Sequence, residues 1–237
     1  MKNLKLRNIA WALLGINIVL AIHELGHWAF CKLFGVATPE FSVGFGPVLF
    51  ETKFAGTRFV LSLFPIGGYV EIFGVRSVVP GLEAISFAAQ PLYAKVSILL
   101  GGIGLNLLFA LLVFSIWGRP RMLSCEKEAL SSVKGESLIG PIGIVTMLAR
   151  SVECGWRFFV FFLAVLSLNL AVFNLVPIPV LDGGQLLLVL TESLFGVTIR
   201  EESYELLMLI TIFGLALLFF FLAGRDLKRA TRGNSSS

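Results

Sequence analysis

Charged residues are scarce in this chain of 237 residues: 14% are charged, whereas 57% are hydrophobic. The mean hydropathy is +0.89, and a soluble domain of this length could not cover so much apolar surface. The composition therefore predicts a polytopic membrane protein. The formal net charge of +4 is modest, so we interpret it as information about membrane topology and expect no nucleic-acid partner.

Histidine is rarer still, because the chain has only two and both stand in the stretch HELGH. His23 and His27 are four residues apart, which places both imidazoles on one face of a helix, where they can bind one metal ion. Glu24 stands beside them and can take a proton from water at the metal. A chance match or a pair of core histidines is the alternative, but ionisable groups inside an apolar run indicate a functional site.

Cysteine is the third scarce residue. Cys31, Cys125 and Cys154 show no CxxC spacing and their number is odd, so they do not indicate a disulfide framework. Cys31 follows His23 by eight residues, which is about 12 Å along a helix axis. A metal ion bound by His23 and His27 cannot reach it, and we expect this thiol to pack in the interior.

Four apolar runs are long enough to cross a bilayer. We predict transmembrane helices at residues 9–34, 96–117, 158–176 and 206–223, then a basic tail at residues 225–237 whose last five residues are disordered. HELGH begins about 21 Å along the first helix, so we expect the histidines to lie inside the membrane. The fold class is thus an α-helical membrane protein, with residues 1–237 forming a single membrane-embedded domain. We interpret Asn106, a polar residue in the second span, as a packing contact.

Residues 41–73 differ from the rest, since glycine and proline separate two segments rich in β-branched and aromatic residues. The segments at residues 48–54 and 57–64 meet at Ala55 and Gly56, which predicts a β-hairpin or small sheet. The region is too apolar for a solvated loop and too broken to span, so we expect it to lie against the membrane. Its edge could accept an extended peptide as an added strand; a plain surface hairpin is the alternative.

Asp182 is the candidate third metal ligand. It lies in a predicted turn at residues 181–183, just past the third span. Consecutive spans alternate in direction, so the first and third run parallel, and HELGH and Asp182 fall near the same membrane face. Two histidines and a carboxylate with an open fourth position are the ligand set of a hydrolytic zinc site. A helix-capping carboxylate is the alternative.

These residues resemble the site-2 protease family of intramembrane zinc metalloproteases, and within it the regulator-of-sigma-E protease branch. The resemblance covers nearly the whole chain and rests on the stretches HELGH, FSVGFGP, PIGGYVEIFG, GGIGLN, GPIG and NLVPIPVLDGG. It implies that His23, His27 and Asp182 hold Zn²⁺ and that Glu24 is the catalytic base. It also implies that Asn174 contacts the substrate backbone or the developing oxyanion, and that the β-region aligns the substrate as an added strand.

The resemblance further implies regulated intramembrane proteolysis, in which single-span membrane proteins are cut within the lipid bilayer of a bacterial plasma (inner) membrane. The chain departs from the branch in one respect, since only a short linker at residues 119–134 stands where a PDZ domain is usual. Substrate gating is then absent or supplied by a separate partner protein. The branch has its active site towards the cytosol, whereas twelve lysines and arginines against six favour the opposite orientation.

Two other functions fit part of the pattern. An inactive relative would bind transmembrane segments without cleaving them, and a metal-binding membrane protein would use the site for transport or structure. A carrier needs polar groups along a path, and outside HELGH and Asp182 the spans contain mainly Asn106, Asn169 and Asn174. The sequence therefore favours a zinc metalloendopeptidase.

Overall fold

A computed structural model describes residues 5–78, 80–117, 140–197 and 199–232. The predicted linker at residues 119–134 and the last five residues lie outside this part of the chain. The elements in order are α1 (Leu6–Leu33), β1 (Glu40–Phe54), β2 (Thr57–Val70), a 3-10 turn (Glu83–Ile85), α2 (Leu92–Trp117), α3 (Pro141–Glu153), α4 (Trp156–Asn174), α5 (Asp182–Phe195) and α6 (Glu201–Arg232).

Four helices in the described ranges are long and apolar enough to cross a membrane: α1, α2, α4 and the segment Glu202–Asp226 of α6. They confirm the predicted fold class, with a small sheet between the first two spans. Helix α1 packs on α2, and α2 packs in turn on α4. The first, second and fourth helices in chain order thus form the body in which His23 and His27 are buried.

Helices α1 and α2 pack in close contact at Gly26 and Gly101. A Cβ atom placed on Gly26 would lie 2.1 Å from the carbonyl oxygen of Gly101, and one placed on Gly101 would lie 2.7 Å from that of Gly26. Small residues at a helix crossing let two backbones touch in this way. The crossing sets HELGH directly against α2.

We expect Gly101→Ala to destabilise the protein by about 1–3 kcal/mol, the usual cost of forcing an extra methyl group into a packed interior. Gly104 is the matched control, because it lies in the same helix and a Cβ there meets nothing within 4 Å. Gly104→Ala should be neutral or should stabilise by up to about 1 kcal/mol through helix propensity. Thermal unfolding in detergent measures both, and equal melting temperatures for the two variants would contradict the close crossing.

The sheet consists of two bent antiparallel strands. Ala55 and Gly56 join them with φ angles of +48° and +74°, the left-handed conformation that tight hairpin turns require. Phe41 of β1 has a partner on each side, Phe59 and Val70, so the start of β1 lies between the two halves of β2. The end of β2 is therefore free to face α1.

The sheet carries an apolar exposed surface, which agrees with a position against the membrane. Several large side chains of the two strands are more than two-fifths exposed: Phe45, Val48, Leu49, Phe50, Phe54, Leu61, Leu63 and Phe64. The sheet is tied to α1 by Trp28, whose indole Nε1 donates a hydrogen bond to Thr57 Oγ1 at 3.0 Å.

Helix α6 is fixed mainly near its ends. None of its membrane-spanning window is buried. Near its start, the Tyr204 hydroxyl donates to Gln185 Oε1 at 3.2 Å. Near its end, Asp226 Oδ2 accepts a hydrogen bond at 2.9 Å from the backbone N–H of Gly143, in the first turn of α3.

Three features differ from the sequence prediction. Asp182 and Gly183 begin helix α5 instead of forming a turn, because the apolar residues after them continue as a helix that is too short to span. Helix α6 runs to Arg232, into the predicted tail, since the residues after Gly224 are mostly good helix formers. Cys154 is disulfide-bonded, which the cysteine spacing did not indicate, whereas Cys31 is buried and free as expected.

Candidate active site

The structure brings His23, His27 and Asp182 together. The Nε2 atom of His23 lies 3.0 Å from Asp182 Oδ2, the Nε2 atom of His27 lies 3.3 Å from Asp182 Oδ1, and the two Nε2 atoms are 3.2 Å apart. Ligands about 2.0–2.1 Å from a tetrahedral zinc ion are about 3.3 Å from one another. The three side chains therefore have the spacing of a zinc ligand set.

The hydrogen bonding of these atoms also fits a metal ion. Asp182 Oδ2 is buried and accepts no hydrogen bond of acceptable geometry, although His23 Nε2 is close. Such a buried, unpaired oxygen is costly unless a ligand satisfies it. Burial alone would raise the pKa of Asp182, but the neighbouring His23 and His27 side chains lower it to about 2, so the carboxylate is ionised at neutral pH.

Helix α2 shapes the site from the other side. His27 Nδ1 lies 2.8 Å from the carbonyl oxygen of Ile98, which accepts the Nδ1 proton and leaves Nε2 free to bind a metal. A Cβ atom on Gly102 would lie 2.5 Å from His27 Nε2 and 2.7 Å from His23 Cε1. Only glycine leaves room for both imidazoles at this position.

Two glycines also place Asp182. A Cβ on Gly183 would lie 2.4 Å from the carbonyl oxygen of Leu175, and one on Gly184 would lie 2.0 Å from that of Ile178. The first turn of α5 thus packs directly on the backbone that follows α4. This close contact directs the carboxylate of Asp182 back towards α1.

Glu24 is half-buried beside the two histidines and lies outside the cluster of three ligand atoms. Its Oε2 accepts a hydrogen bond from the backbone N–H of Val70, at the end of β2, at 3.1 Å. The carboxylate is therefore held between α1, which carries both histidines, and the end of β2. A candidate base and a candidate strand for peptide binding are in direct contact.

Asn17 makes a second link between α1 and the sheet, which the sequence did not indicate. Its Oδ1 accepts a hydrogen bond from the Gly67 N–H at 3.3 Å, and its Nδ2 donates to the carbonyl oxygens of Leu13 and Pro65. The only signal in the sequence was a polar residue in an apolar span. Asn17 and Glu24 together attach the end of β2 to α1.

A cavity of about 470 Å³ lies beside His27 and Asp182. His27 and Asp182 line it together with the polar side chains Arg76, Lys95, Gln185, Glu192 and Tyr204. Arg76 Nη1 lies 3.3 Å from Glu192 Oε1, and the guanidinium carbon is 3.5 Å from the centre of the Tyr204 ring. The cavity opens beside His27 and Asp182, and its lining contains both polar and apolar side chains.

The two other asparagines considered from the sequence lie in different places. Asn106 contacts His23 and is completely buried, so it belongs to the site and is more than a packing contact. Asn174 is buried at the end of α4, where its Nδ2 donates to the carbonyl oxygen of Leu170 at 3.0 Å. Within the described part of the chain, no hydrogen bond or ion pair joins Asn174 to His23, His27 or Asp182.

Fold and site together define a polytopic membrane protein with a His–His–Asp cluster spaced to hold a metal ion and an adjacent carboxylate. The sequence profile of Peptidase family M50 matches residues 11–220. The match covers most of the chain, so the chain belongs to this family.

Individual bacterial proteins support the same assignment. A Helicobacter pylori (strain ATCC 700392 / 26695) protein, provisionally named a zinc metalloprotease, is 40% identical over 140 residues, which cover 54% of this chain and 40% of that protein. The regulator of sigma-E protease RseP of Escherichia coli (strain K12) is 33% identical over 143 residues, which cover 56% of this chain and 31% of that protein. The family, these names and the donor set imply Zn²⁺ as the metal. The chain spans less than half the length of these curated relatives.

Proposed function

We propose that this chain is an intramembrane zinc metalloendopeptidase that hydrolyses peptide bonds in or near the transmembrane segments of other membrane proteins. The observation that carries the proposal is the convergence of His23, His27 and Asp182, with Glu24 beside them, inside membrane-spanning helices. In this reading residues 1–237 form one membrane-embedded protease domain, with His23, His27 and Asp182 as zinc ligands and Glu24 as the catalytic base.

The zinc ion, Glu24 and Asn174 have different roles in the proposed hydrolysis. Zinc at this site supplies a Lewis acid, which lowers the pKa of water and polarises a carbonyl group. Glu24 takes the proton of the attacking water and later delivers it to the leaving amine. Its hydrogen bond from the Val70 N–H keeps the carboxylate oriented while it is ionised. Asn174 is proposed to contact the substrate backbone or the developing oxyanion.

A transmembrane helix protects its own carbonyl groups by hydrogen bonding, so a substrate has to unwind locally before it can be cut. The end of β2 lies beside Glu24, and pairing with this edge would replace the lost helical hydrogen bonds. We therefore propose that the substrate binds as an added strand at the sheet. We propose that water reaches the bond through the cavity that His27 and Asp182 line.

The proposed substrates are single-span membrane proteins, with anti-sigma factors, signal-peptide remnants and membrane-bound transcription regulators as candidates. Since the relatives described above are bacterial, we propose the plasma (inner) membrane as the location. A separate partner protein is proposed to gate substrate access in place of a PDZ domain.

Metal removal tests the function. The purified protein, reconstituted in lipid, is incubated with single-span substrates tagged at both ends, before and after treatment with a zinc chelator. We expect cleavage to stop on chelation and to return when zinc is added, because no side chain replaces the Lewis acid. Cleavage that persists in zinc-free protein would contradict the proposal. Zinc binding without cleavage of any substrate would favour the alternative, an inactive relative or metal-binding membrane protein.

A further inference from the structure

We propose that Asn106 is a positioning residue for the metal site: its side-chain carbonyl accepts the Nδ1 proton of His23 and thereby keeps Nε2 directed at the metal. The inference rests on the proposed zinc site and adds to it a residue from α2.

Asn106 is a buried amide whose polar atoms need hydrogen-bond partners. Asn106 is a polar residue in the middle of an apolar membrane helix, and its side chain has no exposed surface. Its Nδ2 atom is 3.2 Å from His23 Nδ1, and its Oδ1 atom is buried without a hydrogen-bond partner. An amide buried in this way costs stability unless its polar atoms are satisfied.

Metal binding by His23 Nε2 would determine which atom of the Asn106 amide faces His23. The Nε2 atom of His23 points at the centre of the ligand set, 3.0 Å from Asp182 Oδ2 and 3.2 Å from His27 Nε2. An imidazole that binds a metal through Nε2 carries its proton on Nδ1, and this N–H needs an acceptor. Half a turn of the Asn106 amide about its Cβ–Cγ bond exchanges nitrogen for oxygen and supplies one.

Helix α2 then orients both imidazoles. The Nδ1 atom of His27 hydrogen-bonds to the main-chain carbonyl oxygen of Ile98 at 2.8 Å. The Nδ1 atom of His23 faces the side chain of Asn106, eight residues further along α2. Asn106 itself is held by Ser167 of α4, whose hydroxyl donates to the Asn106 main-chain oxygen at 3.1 Å. Outer hydrogen bonds of this kind fix the tautomer and the ring orientation of metal-binding histidines.

The test compares zinc dissociation constants of the full-length protein in detergent, measured by competition with a chelator. Asn106→Leu keeps the shape of the side chain but removes the acceptor, and we expect it to weaken zinc binding by about 10–100-fold. Asn106→Asp keeps an acceptor and should bind zinc about as tightly as the parent. Asn169→Leu is the matched control, because Asn169 is exposed on α4 and, among the described residues, its side chain bonds within its own helix. The zinc affinity of this variant should equal that of the parent.

A second measurement follows the ring itself. The chain has two histidines, so ¹⁵N-histidine labelling gives a spectrum with two imidazoles. In the zinc-loaded parent we expect both Nδ1 atoms to be protonated and slow to exchange with solvent, and in Asn106→Leu the His23 Nδ1 proton should exchange faster.

The inference would be overturned if Asn106→Leu bound zinc as tightly as the parent, or if Asn106→Leu and Asn106→Asp lost zinc affinity equally. Either result would leave the proposed zinc site intact. A deprotonated His23 Nδ1 in the zinc-loaded parent would overturn it as well. A parent protein that binds no zinc would instead refute the proposed function on which the inference rests.

Discussion

Glu24→Gln is expected to reduce substrate cleavage by at least about 100-fold, the lower end of the contribution of a general base, while zinc remains bound. Glutamine has nearly the same shape and can still lie beside the Val70 N–H, but it cannot take a proton from water. The three ligand atoms come from His23, His27 and Asp182, so the substitution leaves the ligand set unchanged. Cleavage rates and zinc content are measured on the same purified samples.

Glu202→Gln is the control for this change, because Glu202 is exposed near the start of α6 and should leave cleavage unaffected. Undiminished cleavage by Glu24→Gln would reject Glu24 as the base. Loss of zinc together with activity would mean that Glu24 supports the metal site, and its role in proton transfer would then lack support.

Asp182→Asn is expected to weaken zinc binding by more than about 10–100-fold, since losing a direct ligand should cost more than losing an outer partner. The neighbouring histidines lower the pKa of Asp182 to about 2, so its carboxylate would give the proposed ligand set a negative charge, whereas an amide is neutral. Cleavage should be lost at zinc concentrations that saturate the parent and should return in part at higher zinc. Zinc affinity and cleavage measured as a function of zinc concentration test both statements.

Asp226→Asn makes the same chemical change near the end of α6, where Asp226 accepts a hydrogen bond from the Gly143 N–H of α3. It should leave the zinc affinity unaltered. If Asp182→Asn bound zinc as tightly as Asp226→Asn, the carboxylate of Asp182 would not be a ligand, and the third ligand would have to be sought elsewhere.

Much of the site could be predicted because its signals are local or follow from topology. The spacing of His23 and His27 fixes their shared helix face whatever surrounds them. Asp182 lies far away in sequence, but alternating spans place the ends of the first and third predicted helices at the same membrane face. The hairpin was predictable from its β-forming segments and from Ala55 and Gly56, which have the left-handed conformation that the turn needs.

The remaining features depend on tertiary packing. Asn17 and Asn106 are single polar residues in apolar spans, and no local pattern indicates that one meets the sheet and the other a metal ligand. The contact of Glu24 with Val70 depends on how β2 bends around β1. Helix α5 was not predicted because, at 14 residues, it is too short to span a membrane.

The most direct test of the central claim is to identify the new chain ends that this protein creates in a single-span substrate. Mass spectrometry of the two fragments, made by the parent protein and by Glu24→Gln in lipid, gives the position of the cut. We predict new termini within or at the border of the transmembrane segment of the substrate, produced by the parent and absent with Glu24→Gln. Termini only in the soluble parts of the substrate, or the same termini with both proteins, would contradict intramembrane hydrolysis at this site.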